Sequence, residues 1–128
     1  MTFPAMPLAV LQFFRASQQA DADAWVDAFA EDGAFHDPVG TEPLVGRAAI
    51  RDFLATTLAT FEPFLGLTPT QAHTVGRRVA VARDGRPANW SGINIYELND
   101  DGRIQDAKAY FDPAVFQAQL APELSRPA

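Results

Sequence analysis

Apolar positions follow two different rhythms along this chain. As far as Phe61 they recur at helical spacing, and from Phe64 onward they alternate. Leu8, Leu11, Phe14 and Gln18, with Val10 and Phe13 beside them, predict a first helix. A second is expected to begin at Asp21 or Asp23, either of which caps it, with Trp25, Val26 and Phe29 on its apolar face and Asp32-Gly33 at its end. The piece AFHDPVG reads as a short strand stopped by Pro38 and Gly40. A third helix follows Gly46, carries Ile50, Phe53, Leu54, Thr57, Leu58 and Phe61, and is broken by Pro63.

The alternating half predicts strands over 64–74, 76–83, 88–98 and 103–111. Turns are expected at Asp84-Gly85 and at Asn99–Gly102, since Asp-Gly between alternating strands is a hairpin signal. Asp112-Pro113 opens a short last helix with Val115, Phe116 and Leu120 as its apolar side, and 122–128 reads as a loose tail. Helices followed by an antiparallel meander make an α+β pattern. The expected architecture is one domain over 1–128, a cone of N-terminal helices packed on a strongly curved, mixed but mainly antiparallel sheet. The mouth of such a cone is a natural place for a small molecule.

Strand parity sorts the side chains. Trp90, Gly92, Asn94 and Tyr96 share one face, and Asn89, Ser91, Ile93 and Ile95 the other. Ala107, Ala109 and Phe111 face away from Asp106, Lys108 and Tyr110, and Val79 and Val81 face away from Arg78, Ala80 and Ala82. Ile93 and Ile95 look more core-like than Asn94, so a second buried face is needed. A homodimer through the sheet supplies one, and parity alone leaves open which face is the pocket.

Composition narrows the function. The chain has 128 residues, of which 48% are hydrophobic and 20% charged, a globular balance that excludes disorder. It has no cysteine, which excludes disulfides, thiolate zinc sites and cysteine nucleophiles. A net charge of −6 argues against nucleic acid or an anionic membrane as partner. The N-terminal MTFPAMPLAVLQFF lacks a basic region, so no signal peptide is expected and the location is read as cytoplasmic. No phosphate loop, GxSxG elbow, nucleotide or flavin signature occurs, so no cofactor is expected. Two histidines without a cluster leave no expected metal site.

Asp37 is the leading acid/base candidate: a carboxylate at a strand end between Phe35 and Val39 is open to desolvation, which raises its pKa. The plain alternative is a turn aspartate before Pro38. Asn94 and Tyr96 lie two apart on one strand and aim at one ligand oxygen, with the Trp90 indole N–H beside them. The alternative is a polar patch at a dimer contact. His73 is read as solvent-facing or structural, with an inward second acid/base as the alternative, His36 as pointing away from Asp37, Asp112 as a helix cap, and Asp106 with Lys108 as a solvated or interfacial face.

FAEDGAFHDPVG followed by PLVGRAAIRDFL, and later YELNDDGRIQDAKAYFDP, resembles the steroid Δ-isomerase and SnoaL-like polyketide cyclase group, within the nuclear-transport-factor-like superfamily of α+β cones. The resemblance spans nearly the whole chain. It puts the general base on Asp37 and the enolate-stabilising donor on Asn94, while Phe13 stands where the isomerase has its oxyanion tyrosine, and Phe29 and Leu54 where it has supporting tyrosines. It implies a cofactor-independent enzyme acting on a small apolar carbonyl compound, an isomerase or aldol-type cyclase, with Asp37, Asn94 and Tyr96 catalytic. Phe13, Phe14, Trp25, Phe29, Phe53, Leu58 and Phe61 would wall the site from the helical half, and Phe64, Val79, Trp90 and Phe111 from the strands. Two other readings stand beside it. One is a non-catalytic dimeric ligand-binding domain. The other is a hydrolase resembling limonene epoxide hydrolase, ranked lower because Gly92, Asn94 and Ala109 are not the charged residues its Asp–Arg–Asp set requires.

Overall fold

The computed structural model describes residues 3–61, 63–86 and 90–124. The element order is α1 (Leu8–Gln18), α2 (Ala22–Asp27), β1 (Phe29–His36), β2 (Leu44–Val45), α3 (Arg47–Thr60), β3 (Gly66–Val75), β4 (Arg78–Arg86), β5 (Gly92–Leu98), β6 (Ile104–Tyr110) and α4 (Pro113–Leu124). The six strands form one sheet in the order β2-β1-β6-β5-β4-β3. Only β1 and β6 run parallel, so the sheet is mixed and mainly antiparallel. Helices α1 and α3 pack on β3 and β1 with α2 between them, the expected α+β arrangement.

The helices form where periodicity put them, and local chemistry sets their ends. Asp21 caps α2 by accepting from the Ala24 N–H at 3.0 Å. Gly46, at φ 89°, turns the chain into α3. The core is aromatic and centred on Phe13, whose ring lies 5.2 Å from Tyr96, 5.4 Å from Trp25 and 5.9 Å from Phe35. The buried Ser17 hydroxyl donates to Phe14 O and accepts from Leu67 N, tying α1 to β3.

Four expectations need correction. Helix α2 stops at Asp27, and Phe29 already belongs to β1, which runs through Asp32-Gly33 to His36. Long-range pairing with β6, Phe29 opposite Ile104, overrides the local helical spacing there. Asp84-Gly85 is no turn: both residues lie inside β4, opposite Thr68 and Leu67. The β3–β4 turn is at Gly76-Arg77, with Gly76 at φ 60°. Gly85 is instead a packing glycine, where an added Cβ would lie 3.0 Å from Trp90 Cβ. Leu8 is exposed, not part of the α1 core face. Helix α4 runs through Leu124, into the expected tail, while 125–128 and Asn89 lie outside the described residues. The Asn99 turn holds as expected, with Asn99 Oδ1 accepting from Asp101 N and Arg103 N, both at 3.0 Å. No helix among the described residues is long and apolar enough to cross a membrane.

Candidate active site

Asp37 follows the last residue of β1. Alternation along β1 turns His36 outward, where Nε2 lies 3.1 Å from Asp106 Oδ1, and the same carboxylate pairs with Lys108. Asp37 faces inward with Phe35. It lines a narrow cavity together with Phe13, Trp25, Phe53, Leu54 and Trp90, among others. Desolvation in these surroundings raises its pKa from 3.8 to about 6, and the nearby Arg83 cation opposes the rise without cancelling it.

Arg83 is the residue that sequence reasoning passed over. It continues the inward face of β4 begun by Val79 and Val81, and strand parity carried two residues further finds it. Its guanidinium is buried in the same cavity, 5.3 Å from the centre of the Trp90 ring and 5.4 Å from that of Phe111. Nη1 donates to Trp90 O, and Nε donates to Asn94 Oδ1 at 3.3 Å. Gly92, its partner across β4 and β5, leaves the space: a Cβ there would lie 3.2 Å from Arg83 Nη2. Burial lowers the Arg83 pKa while Asp37 raises it in opposition.

Asn94 and Tyr96 lie on the inward face of β5, whereas Ile93 is half exposed. The parity question is thereby resolved in favour of the Asn94 side as the interior. Asn94 Nδ2 donates to the Tyr96 hydroxyl at 2.9 Å. Burial pushes the Tyr96 phenol well above its ordinary pKa, so it remains protonated. A buried phenol therefore does reach this polar group, from β5 rather than from the Phe13 position.

The candidate residues fall into distinct groups around the cavity. Asp37, Asn94, Phe13, Trp25, Phe53 and Trp90 come together on its lining, joined by Phe35, Leu54, Thr57, Leu67, Arg83 and Ala109. Phe14, Phe29, Val79 and Tyr96 are fully buried behind it, with Tyr96 reaching it only through Asn94. Phe61 and Phe111 pack instead on Phe116 of α4, at 5.7 and 6.1 Å. Leu58 and Phe64 pack in the core without lining the cavity. His73 is exposed, and Asp112 Oδ1 caps α4 by accepting from Ala114 N at 2.9 Å, both as expected.

The cavity is tight. Its free volume is about 10 Å³, room for one water position. Phe116 of α4, itself outside the lining, stacks on Trp90 at 4.6 Å. Every polar group in the cavity is thus surrounded by low-dielectric material, which strengthens electrostatic interactions with anything that enters.

A family model described as a SnoaL-like domain matches residues 10–107. The chain is 28% identical over 127 residues to the epoxide hydrolase LasB of Streptomyces lasalocidi; the match takes in 91% of this chain and 45% of LasB, so the chain spans about half the length of that relative. Among solved structures it is similar to SalBIII, described as an epoxide hydrolase/cyclase-like enzyme with a role in pyran ring formation in the polyether salinomycin. That likeness has a TM-score of 0.72 and 24% identity over 83% of this chain and 89% of SalBIII. A Sinorhizobium meliloti protein put forward as a polyketide cyclase gives 0.70 and 21%, over 82% of this chain and 95% of that one. At these identities the structural likeness concerns the fold.

Proposed function

Since the chain belongs to the SnoaL-like domain family, we propose that it is a cofactor-independent acid/base enzyme acting on a small apolar carbonyl compound, with Asp37 as the base. The observation that carries this reading is the Asp37 carboxyl, desolvated until its pKa stands near 6, in a cavity it shares with Asn94 and Arg83. A base with a pKa close to the working pH combines a useful ionised fraction with real driving force for proton transfer.

The Asp37 carboxylate takes a proton from the carbon next to a substrate carbonyl. The C–H electron pair becomes the C=C bond of an enolate, and the negative charge moves to oxygen. Asn94 Nδ2 has one N–H on Tyr96 and a second for that oxygen. Asp37 then returns the proton to another carbon, which completes an isomerisation. Alternatively the enolate carbon attacks a second carbonyl of the same molecule, a C–C bond forms, and the new alkoxide takes the proton from Asp37, which completes an aldol ring closure. One carboxyl suffices for either course, and Asp37 is the sole carboxyl on the cavity lining among the described residues.

A second reading, epoxide opening, is favoured by one observation: Arg83, a buried cation beside Asp37, supplies a charged group of the kind whose absence from Gly92, Asn94 and Ala109 had counted against it. Protonated Asp37 would give its proton to the epoxide oxygen as the C–O bond breaks, while water or a substrate hydroxyl attacks the carbon and passes its proton to the carboxylate left behind. The homodimer through the outer sheet face belongs to the same proposal. Ile93 and Tyr110 are opposed across β5 and β6 and both exposed, and sedimentation of the wild type against Ile93→Glu tests it.

The deciding experiment incubates the protein with enolisable cyclic ketones in D2O and follows deuterium uptake by NMR, with simple epoxides assayed for diol in parallel. The expected result is exchange by wild type and none by folded Asp37→Asn. Diol without exchange moves the assignment to epoxide opening. Neither activity, with ligand binding retained, leaves a binding domain.

A further inference from the structure

The cavity around Asp37 is too small for an organic molecule. Its free volume of about 10 Å³ is one water position, so a ligand larger than water needs a wall to move. Phe13, Phe35, Leu54 and Leu67, which form much of that wall, are packed into the core. Trp90 differs from them because it lines two pockets at once. On one side is the cavity with Asp37, Arg83 and Asn94. On the other is a pocket of about 130 Å³, lined by Trp90, Ser91, Phe111, Asp112, Val115 and Phe116. The ring that separates the two spaces therefore has somewhere to go.

The Trp90 indole is also free to turn. Its Nε1 is buried without a hydrogen-bond partner in the protein, so rotation breaks no hydrogen bond and lets water reach the N–H. The backbone is held independently of the ring, because Trp90 O accepts from Arg83 Nη1. The ring itself is kept in place by its stack on Phe116 and by the Arg83 guanidinium, 5.3 Å from its centre, each a modest contact. Its present seat lies against Gly85, where an added Cβ would come within 3.2 Å of Trp90 Cε3. We propose that Trp90 is the movable wall of the site: its indole swings about the side-chain bonds into the outer pocket, and the Asp37 cavity gains the slot that the ring vacates. That slot, between Gly85 and Arg83, has the size of one flat ring, so the ring of Trp90 sets the size of what the site admits. The inference rests on the reading of this cavity as a substrate site, but not on the proton chemistry of Asp37.

The test reads the free protein and needs no ligand. The chain has two tryptophans, so a ¹H–¹⁵N NMR spectrum holds two indole N–H signals, and the one that survives in Trp25→Phe belongs to Trp90. Relaxation dispersion on the wild type is expected to show μs–ms exchange at the Trp90 indole, from an open state populated at about 1–10%, and none at Trp25. Val115, 59% exposed on α4, lines the outer pocket but not the Asp37 cavity. Val115→Phe fills the outer pocket from its surface side and should lower the open population by about fivefold or more, because the swung ring would then be overpacked. A Trp90 indole as still as that of Trp25, or exchange that persists undiminished in Val115→Phe, overturns the inference. So does exchange at the same rate at the backbone amide of Phe116, which would mean that α4 leaves as a whole and the ring does not swing. The wild-type measurement gives its answer even if the variant folds poorly. Deuterium uptake by a ketone is read separately. A moving Trp90 without uptake would sink the catalytic reading alone, and uptake with a still Trp90 would sink this one alone.

Discussion

Arg83 Nε donates to Asn94 Oδ1 at 3.3 Å, and that bond decides which way the Asn94 amide faces. A guanidinium has donors only, so the amide oxygen must meet it and Nδ2 turns to the Tyr96 hydroxyl. The same guanidinium holds the Asp37 pKa below the value that burial alone would set. Arg83→Met keeps much of the side-chain stem and removes the charge. The Asp37 midpoint, followed by NMR of its carboxyl carbon, should then rise above the wild-type value of about 6. A midpoint that stays or falls contradicts the coupling.

Asp37 should cost stability in a definite pH window. Its folded pKa of about 6 lies above the ordinary 3.8. Well below the ordinary 3.8 the carboxyl is protonated folded or unfolded, and no penalty exists. As pH rises the unfolded chain ionises first, and the penalty grows until the folded pKa is passed, reaching on the order of 3 kcal/mol. Asp37→Asn, neutral throughout, should therefore be more stable than wild type near neutrality and about equal to it below about pH 3. Urea unfolding at the two pH values measures the difference, and an equal gain at both would count against a buried, perturbed carboxyl.

The pH profile of turnover separates base from acid. If Asp37 works as an ionised base, kcat/KM for ketone exchange rises through about pH 6 to a plateau. If it works as a protonated acid on an epoxide, the rate falls through the same value. A flat profile through that region would assign the chemistry to another group.

Gly92 makes room for Arg83. An added Cβ would overlap the Tyr110 carbonyl oxygen and sit 3.2 Å from both Arg83 Nη2 and Phe111 Cβ. Gly92→Ala should destabilise the fold by about 1–3 kcal/mol, the usual cost of overpacking. The loss reads directly as a lowered Tm, and a neutral outcome would mean that the β5–β6 edge gives way freely.

Phe116 anchors α4. It is buried, while its described helix neighbours from Pro113 to Gln119 are exposed. Phe116→Ala removes the ring stacked on Trp90, with a cost of up to about 3 kcal/mol, limited because α4 can undock by itself. Limited proteolysis should release α4 sooner. An unchanged rate of release would mean that other contacts hold the helix.

Much of this molecule was legible in its sequence. The three N-terminal helices, the Asn99 turn, the Asp112 cap and the inward parity of Trp90, Asn94 and Tyr96 follow from local spacing and capping chemistry. What went astray did so where local signals compete with distant pairing. Phe29 continues a helical spacing, yet it is drawn into β1 opposite Ile104, 75 positions later. Asp84-Gly85 reads as a hairpin, yet Gly76 takes the left-handed turn and Gly85 goes to make space for Trp90.

The sequence by itself determined the order of elements and an α+β cone, and it put forward a carboxylate at a strand end as the acid/base candidate. Only the tertiary structure decided that Arg83 and Asn94, with Tyr96 bonded behind Asn94, gather on the cavity that holds that carboxylate. The physical reason is that strand parity is a relative quantity. It tells which residues share a face, but the absolute face is set by register with strands far away in the chain, here Val81 opposite Asn94 and Asn94 opposite Ala109. The raised pKa of Asp37 has the same origin, since desolvation is produced by side chains that only the packed fold brings around it.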